Sequence, residues 1–348
     1  AISKIFGLRA PPNGYLCKNV ILGTEVLLSH LGHFYLCFAP DLAHPTYRAL
    51  PFYKEIKKRF SPFSGISYRK FIQARKNLLV VLGLFAGKWP NTLSIHPGGT
   101  TKTINKSEIK RCLATLKEFQ DFVEDVLLGC EIERWLEIKK VKEMEKWCNE
   151  KKEKQGDLAL FVSFSKKANL HRLGKTPGKL LCFKGYEDQQ GLWYKDGYYE
   201  KGVFHSLDTS KITEEKSFSW LEGEENHPFD DFTRPSPGKK GAYSWSKSPR
   251  YKGEAVEVGP LSRLVINREP LISDVFKDSG SNVYSRMLAR LQEVVLLTRK
   301  INEWIKKINP EKPFYQKPKN VKNRKGEGIV EAPRGALGHW IQVEGDGK

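Results

Sequence analysis

The stretch SNVYSRMLARLQEVVLLTRKINEWIKKI, residues 281–308, decides how the fold is read. Met287, Leu291, Val294, Thr298, Ile301, Ile305 and Ile308 recur at the spacing of one helix face, and Pro310 closes the run. So long an amphipathic helix needs other helices to cover it. Residues 16–38 provide one: Leu16, Val20, Ile21, Leu27, Leu28, Leu31 and Phe34 make a broad apolar face, predicting a helix buried nearly all round. Lys18, Glu25, His30 and His33 interrupt it, so no run reaches the roughly 18 apolar residues of a membrane span. Further helices are predicted over 68–85 and 107–127. The latter carries Ile109, Leu113, Leu116, Phe119, Val123 and Leu127 on one stripe, with Gly129 as its stop.

From about residue 156 the pattern changes. Residues 158–164 and 179–183 read as strands, glycine, aspartate and aromatic residues crowd 185–204, and the Pro/Gly-rich segment 222–241 predicts a long surface excursion. The segment after Pro310 is extended and rich in Pro, Gly and Lys. The expected architecture is an α-rich α+β protein, a long-helix bundle core with an inserted smaller mixed α/β region. Its parts are a helical bundle over 1–155, a mixed strand and loop insertion over 156–278, and over 279–348 a long helix with an extended segment returning to the active-site region. Together they are expected to form one structural unit.

Composition narrows the function. With 39% hydrophobic and 28% charged residues the chain is globular rather than disordered. Its 59 Lys and Arg against 40 Asp and Glu give a formal charge of +19, which invites a nucleic-acid reading. The distribution argues against one: basic residues alternate with acidic ones, as in residues 139–146, and the short basic cluster at 317–325 has few aromatics on which bases could stack. Six cysteines, Cys17, Cys37, Cys112, Cys130, Cys148 and Cys182, form no Cys-x-x-Cys pair and read as reduced thiols in a reducing compartment.

Four segments carry more specific information. They are Pro11-Pro12-Asn13-Gly14 leading through Ser29-His30-Leu31-Gly32-His33-Phe34-Tyr35 to Asp41; Gly87-Lys88-Trp89-Pro90 with His96-Pro97-Gly98-Gly99-Thr100; Ser248-Pro249-Arg250-Tyr251 through Glu257-Val258-Gly259-Pro260-Leu261-Ser262-Arg263; and Glu331-Ala332-Pro333-Arg334-Gly335-Ala336-Leu337-Gly338-His339-Trp340. Each alone is weak. In this order, spanning nearly the whole chain, they resemble the large, catalytic subunit of nickel–iron hydrogenases, nearest the uptake type.

The resemblance implies reversible heterolytic cleavage of dihydrogen at a nickel–iron centre with diatomic ligands. It also implies a heterodimeric partner, a small subunit with iron–sulfur clusters, and a magnesium ion near the carboxyl end. That centre is held by two Cys-x-x-Cys pairs. Neither is present, so the chain is expected to be a fragment cut short at both ends and inactive alone. The compartment implied is the cytoplasm, or a membrane reached through a partner, with no span of its own.

By the same resemblance Arg334 hangs over the open metal position, Asp41 pairs with it, and Pro333 fixes the turn that carries it. His30, His33, Glu331 and His339 are expected in the polar surroundings of the centre, with Lys247, Arg250 and Glu257 as more distant charges. Read locally, these residues have plainer roles. Arg334 is an arginine in a surface turn, Asp41 a solvated acid at a helix end, His96 a turn residue, and His30 and His33, three apart on one helix face, are satisfied core imidazoles. The competing function is that of the related respiratory complex I subunit, which lacks the metal-binding cysteines and shapes a quinone site.

Overall fold

The computed structural model describes residues 1–150, 156–318, 320–321 and 324–344. Part of the basic cluster at 317–325, and residues 345–348, lie outside them. The core helices are α1 (Pro12–Gly32), α2 (Ile66–Ala86), α3 (Lys106–Phe122) and α4 (Asp157–Lys167), followed by α5 (Pro260–Ile266), α6 (Pro270–Ser279) and α7 (Val283–Lys307). α1 lies between α7 and α2, and α3 packs on α2 and α7. The helix predicted over 281–308 is α7, started by a capping box in which Asn282 and Ser285 each accept from the other's backbone N–H.

Leu27 and Leu31 of α1 and Leu297 and Ile301 of α7 are wholly buried, each contributing about 1.5–3 kcal/mol of transfer free energy. The helices approach closely at Gly23, where a Cβ would lie 3.0 Å from the Ile301 side chain. α1 does not stop at Gly32. It continues through a π-helical turn, His33–Phe38, into Ala39–Leu42, and π turns of this kind often mark functional positions. The continuous helix Pro12–Leu42 is long and apolar enough to cross a membrane by length and composition. Its apolar face is taken up by packing: Val20, Val26, Leu27, Leu31 and Phe34 belong to the main hydrophobic cluster.

One expectation fails here. Residues 158–164 form not a strand but the helix α4, whose Leu158, Ala159, Leu160, Phe161, Val162 and Phe164 are all buried. A short, continuous apolar run carries no period that separates a buried strand from a buried helix. What selects the helix is its first residue: buried Asp157 accepts from Tyr35 Oη at 2.7 Å, Ser67 Oγ at 3.0 Å and Arg59 Nη1 at 3.0 Å, and so anchors α4 among the other helices.

The strands lie to one side. β1 (Leu180–Cys182) pairs with β4 (Gly197–Glu200), which pairs with β5 (Val203–His205); between them β2 (Gly185–Asp188) and β3 (Gly191–Tyr194) form a hairpin. β6 (Ile212–Glu215) pairs with β7 (Ser248–Tyr251), and the excursion between them is largely exposed, as predicted. The segment expected to be simply extended ends in a hairpin, β8 (Lys325–Ala332) and β9 (Gly335–Gln342). Ala332 faces Gly335 in this hairpin, so Pro333 and Arg334 are the two-residue turn. One hydrophobic cluster draws on helices from all three parts of the chain. A smaller one, Leu181, Phe183, Tyr198, Ile212, Tyr251 and Ile329, lies among the strands.

Leu27 of α1 is fully buried in the main hydrophobic cluster. Leu27→Ala is expected to cost about 2–5 kcal/mol, read as a lower urea midpoint with unchanged slope; a loss below half a kcal/mol would place the core elsewhere.

Candidate functional site

Arg263 is the charged group around which the site is built. It is carried by α5 and is 1% exposed. Its Nε and Nη2 donate to the two carboxylate oxygens of Glu293 at 2.7 and 2.6 Å, a bidentate pair. Nη1 donates to Glu331 Oε2 at 2.8 Å and to the Ala332 carbonyl at 3.0 Å, and Nη2 reaches the Pro333 carbonyl at 3.1 Å. Glu293, on the buried face of α7, also accepts from Tyr194 Oη at 2.9 Å and meets His30 Nε2 of α1 at 2.7 Å. Glu331, on β8, accepts the Phe183 N–H at 2.7 Å.

One cation thus serves two carboxylates in a site that excludes water. Burial alone would raise Glu293, but the paired guanidinium and His30 hold it well below the usual carboxylate range. Glu331 is the second carboxylate on a charge already balanced, and burial pushes it up to about 7. Burial likewise lowers His30, against its bond to Glu293. The network is closed and nearly neutral, the condition on which buried charge is tolerated.

It holds the hairpin tip by its backbone. Close packing completes the grip: Gly335 has φ 140° and a Cβ there would lie 2.5 Å from Val258, while Gly259 has φ 110° and its Cβ would meet the Arg334 carbonyl at 2.9 Å. Glycine at both positions lets the Pro333–Arg334 turn lie directly on the chain entering α5.

Of the residues expected at the site, the network takes in His30 and Glu331 by their side chains and Pro333 by its carbonyl. Arg334 is exposed at the tip and His339 is exposed on β9. Half-buried His33 lies one turn beyond His30, and burial together with Arg290, His30 and Arg334 lowers it to about 4. The expected Asp41–Arg334 ion pair is not formed among the described residues. Asp41 is exposed on the short helix Ala39–Leu42, beyond the π turn, while Arg334 is held at the hairpin tip next to the His30–His33 face. Lys247 is engaged instead by Glu214 at 2.8 Å and Asp231 at 2.7 Å, Arg250 donates to the Pro249 carbonyl at 3.1 Å, and Glu257 pairs with Arg286 at 2.8 Å. His96 is exposed in its turn and packs edge-on to Tyr315.

No metal ligand set is present among the described residues: no group of three or more His, Cys, Asp or Glu could hold an ion. Burial pushes the thiols of Cys17, Cys112 and Cys148 up to about 12, so they are protonated core groups rather than ligands. The residues of this chain do not fit the nickel–iron pair as its ligands.

The profile of the nickel-dependent hydrogenases matches residues 65–348. The chain belongs to that family. Its sequence is 25% identical to the periplasmic [NiFeSe] hydrogenase large subunit of Desulfomicrobium baculatum, over 97% of this chain and 68% of that one. It is 25% identical to the quinone-reactive Ni/Fe-hydrogenase large chain of Wolinella succinogenes, over 82% of this chain and 54% of that one. Over 41% of its length it is 33% identical to the uptake hydrogenase large subunit of Afipia carboxidovorans. The reduced Ni-Fe-Se hydrogenase of Desulfovibrio vulgaris Hildenborough superposes on this hydrogenase-family chain with a TM-score of 0.80 and 25% identity, covering all of this chain and 72% of that one. The chain thus spans roughly half to two thirds of the curated relatives that align along most of its length.

The sequence reading missed Arg263, Glu293 and Tyr194 as site residues. Glu293 carried a signal: an acid within the apolar face of a helix demands a buried cation. Replacing Arg263 by Leu leaves Glu293 without its charge partner and is expected to cost about 3–5 kcal/mol, measured by urea unfolding. A second outcome concerns pH. Glu331, raised from 4.5 to about 7 in the fold, binds more protons folded than unfolded in that interval, so stability falls as pH rises through it, by up to roughly 3 kcal/mol. In Glu331→Gln the decline in Tm between pH 4.5 and 7 should flatten; an unchanged profile would assign it to other groups.

Proposed function

We propose that this chain is part of the catalytic large subunit of a nickel–iron hydrogenase, which cleaves dihydrogen into two protons and two electrons. In this reading the nickel–iron centre, with its diatomic ligands, is held by cysteines outside these residues. The electrons pass to the iron–sulfur clusters of a small partner subunit, which also provides any membrane association, and a magnesium ion belongs to the completed subunit. The observation that carries the reading is the Arg263 network: it gathers His30 from the first motif, its own motif Gly259–Arg263, and the Glu331–Arg334 turn onto one spot. Cysteine-free quinone coupling has no comparable support, since the matching family is nickel-dependent.

This chain's contribution is to hold Arg334 in place. The turn is gripped through the carbonyls on either side of the peptide leading to it, and Gly259 and Gly335 seat it closely. Arg334 offers a permanent charge and fixed donors where charge develops as dihydrogen polarises.

The test uses the complete subunit, loaded with nickel and joined to its small partner. Arg334→Lys keeps the charge but loses the planar fork, and should lower hydrogen–dye turnover by about a hundredfold or more with nickel content unchanged. Wild-type rates in Arg334→Lys, or no activity in the nickel-loaded parent, would sink the reading.

A further inference from the structure

The positive charge of this chain is not spread evenly. Acids and bases alternate in residues 139–146, but residues 45–76 hold nine Lys and Arg against a single acid, Glu55. Glu55 is committed to Arg59 at 2.6 Å, and Arg59 also to buried Asp157 at 3.0 Å. The short helix Tyr53–Phe60 buries Ile56 and Phe60 and turns Lys54, Lys57 and Lys58, at i, i+3 and i+4, to solvent. Lys58 reaches Glu55 only at 3.9 Å, and neither Lys54 nor Lys57 forms an ion pair among the described residues. Arg48 and these three lysines line an open depression of about 650 Å³, together with Ser61 and Ser64.

The loop after this helix lifts a phenylalanine clear of the surface. Phe63, between Ser61 and Ser64 of that depression, is 82% exposed, with φ 62°, a left-handed backbone that bulky side chains rarely adopt. The loop that carries it is tied back. Ser61 Oγ donates to the Lys57 carbonyl at 2.7 Å, the Gly65 N–H donates to the Ser61 carbonyl at 2.8 Å, and a Cβ at Gly65 would run into the Arg59 carbonyl. α2 then opens with Ile66, Arg69 and Lys70 exposed on one helical face. Exposed apolar side chains thus stand among cations that no neighbouring acid neutralises.

We propose that this face rests on the surface of an anionic lipid membrane. Phe63 enters the boundary between headgroups and acyl chains, where aromatic rings are favoured, and Lys54, Lys57 and Lys58 meet the lipid phosphates. Charge complementarity selects an anionic surface, and the apolar residues select lipid among anionic partners. Nucleic-acid bases stack on aromatic rings, whereas an acyl layer also accepts the exposed Ile66. The contact is peripheral: the chain lies on the bilayer rather than crossing it, and adds to any hold supplied by the small partner. It requires no metal and does not depend on the hydrogenase reading.

The experiment is flotation of the 348-residue chain, and of the complete subunit joined to its small partner, with vesicles of phosphatidylcholine alone or mixed in equal parts with phosphatidylglycerol. Both proteins should bind the mixed vesicles saturably, ignore phosphatidylcholine, and be released by high salt. Lys57→Gln with Lys58→Gln should weaken binding at least about tenfold. Removing the same charge elsewhere, with Lys201→Gln and Lys240→Gln, should change it less than about threefold. Phe63→Asn should weaken it about fivefold or more with Tm undiminished, because asparagine tolerates the left-handed backbone. Absence of saturable binding, equal losses in the two lysine pairs, or parent affinity in Phe63→Asn overturns the proposal. So does binding by the chain but not by the complete assembly, which assigns the face to a polypeptide, and capture by a single-stranded oligonucleotide in place of the vesicles, which assigns it to nucleic acid.

Discussion

A single buried guanidinium organises this molecule. Arg263 closes a circuit among elements far apart in sequence: Glu293 and His30 in the helical core, and Glu331 with the Ala332 and Pro333 carbonyls in a hairpin near the carboxyl end. Burying such a charge is unfavourable unless every donor is answered. The need for those answers dictates where α5, α7 and β8 sit relative to one another. Hydrophobic packing brings the helices together, but it is indifferent to small slips. The bidentate Arg263–Glu293 pair is not, and it gives the core one register.

The helical half was legible because its spacing is long and regular. The stripe over 281–308 and the apolar face over 16–38 left little choice. The error over 158–164 shows the limit of that logic: Asp157, which selects the helix, is bonded to Arg59, Ser67 and Tyr35, partners that no local pattern identifies. The hairpin at the carboxyl end was equally hidden, because Gly-rich extended sequence reads alike whether or not it pairs.

The site was legible in part, and for a different reason. The motifs pointed to His30, Glu331, Pro333 and Arg334 through resemblance, and the structure draws these to one region. Arg263 stood in plain view within Gly259-Pro260-Leu261-Ser262-Arg263, yet nothing local separates a surface arginine from a buried hub. Glu293 was the one deducible member. Asp41 illustrates the opposite case, where the resemblance implied a partner and the helix, widened by a π turn, carries the side chain to solvent.

The network also bears on the order in which the protein takes shape. His30 is separated from Glu293 by 263 positions, and Phe183 from Glu331 by 148. Contacts of such range form late, after local helices have gathered. During synthesis α1 leaves the ribosome long before α7 or β8 exists, with His30 and a wide apolar face uncovered in the meantime. A nascent chain of this design stays open along the seam where its site will be, and closes only when β8 and β9 arrive.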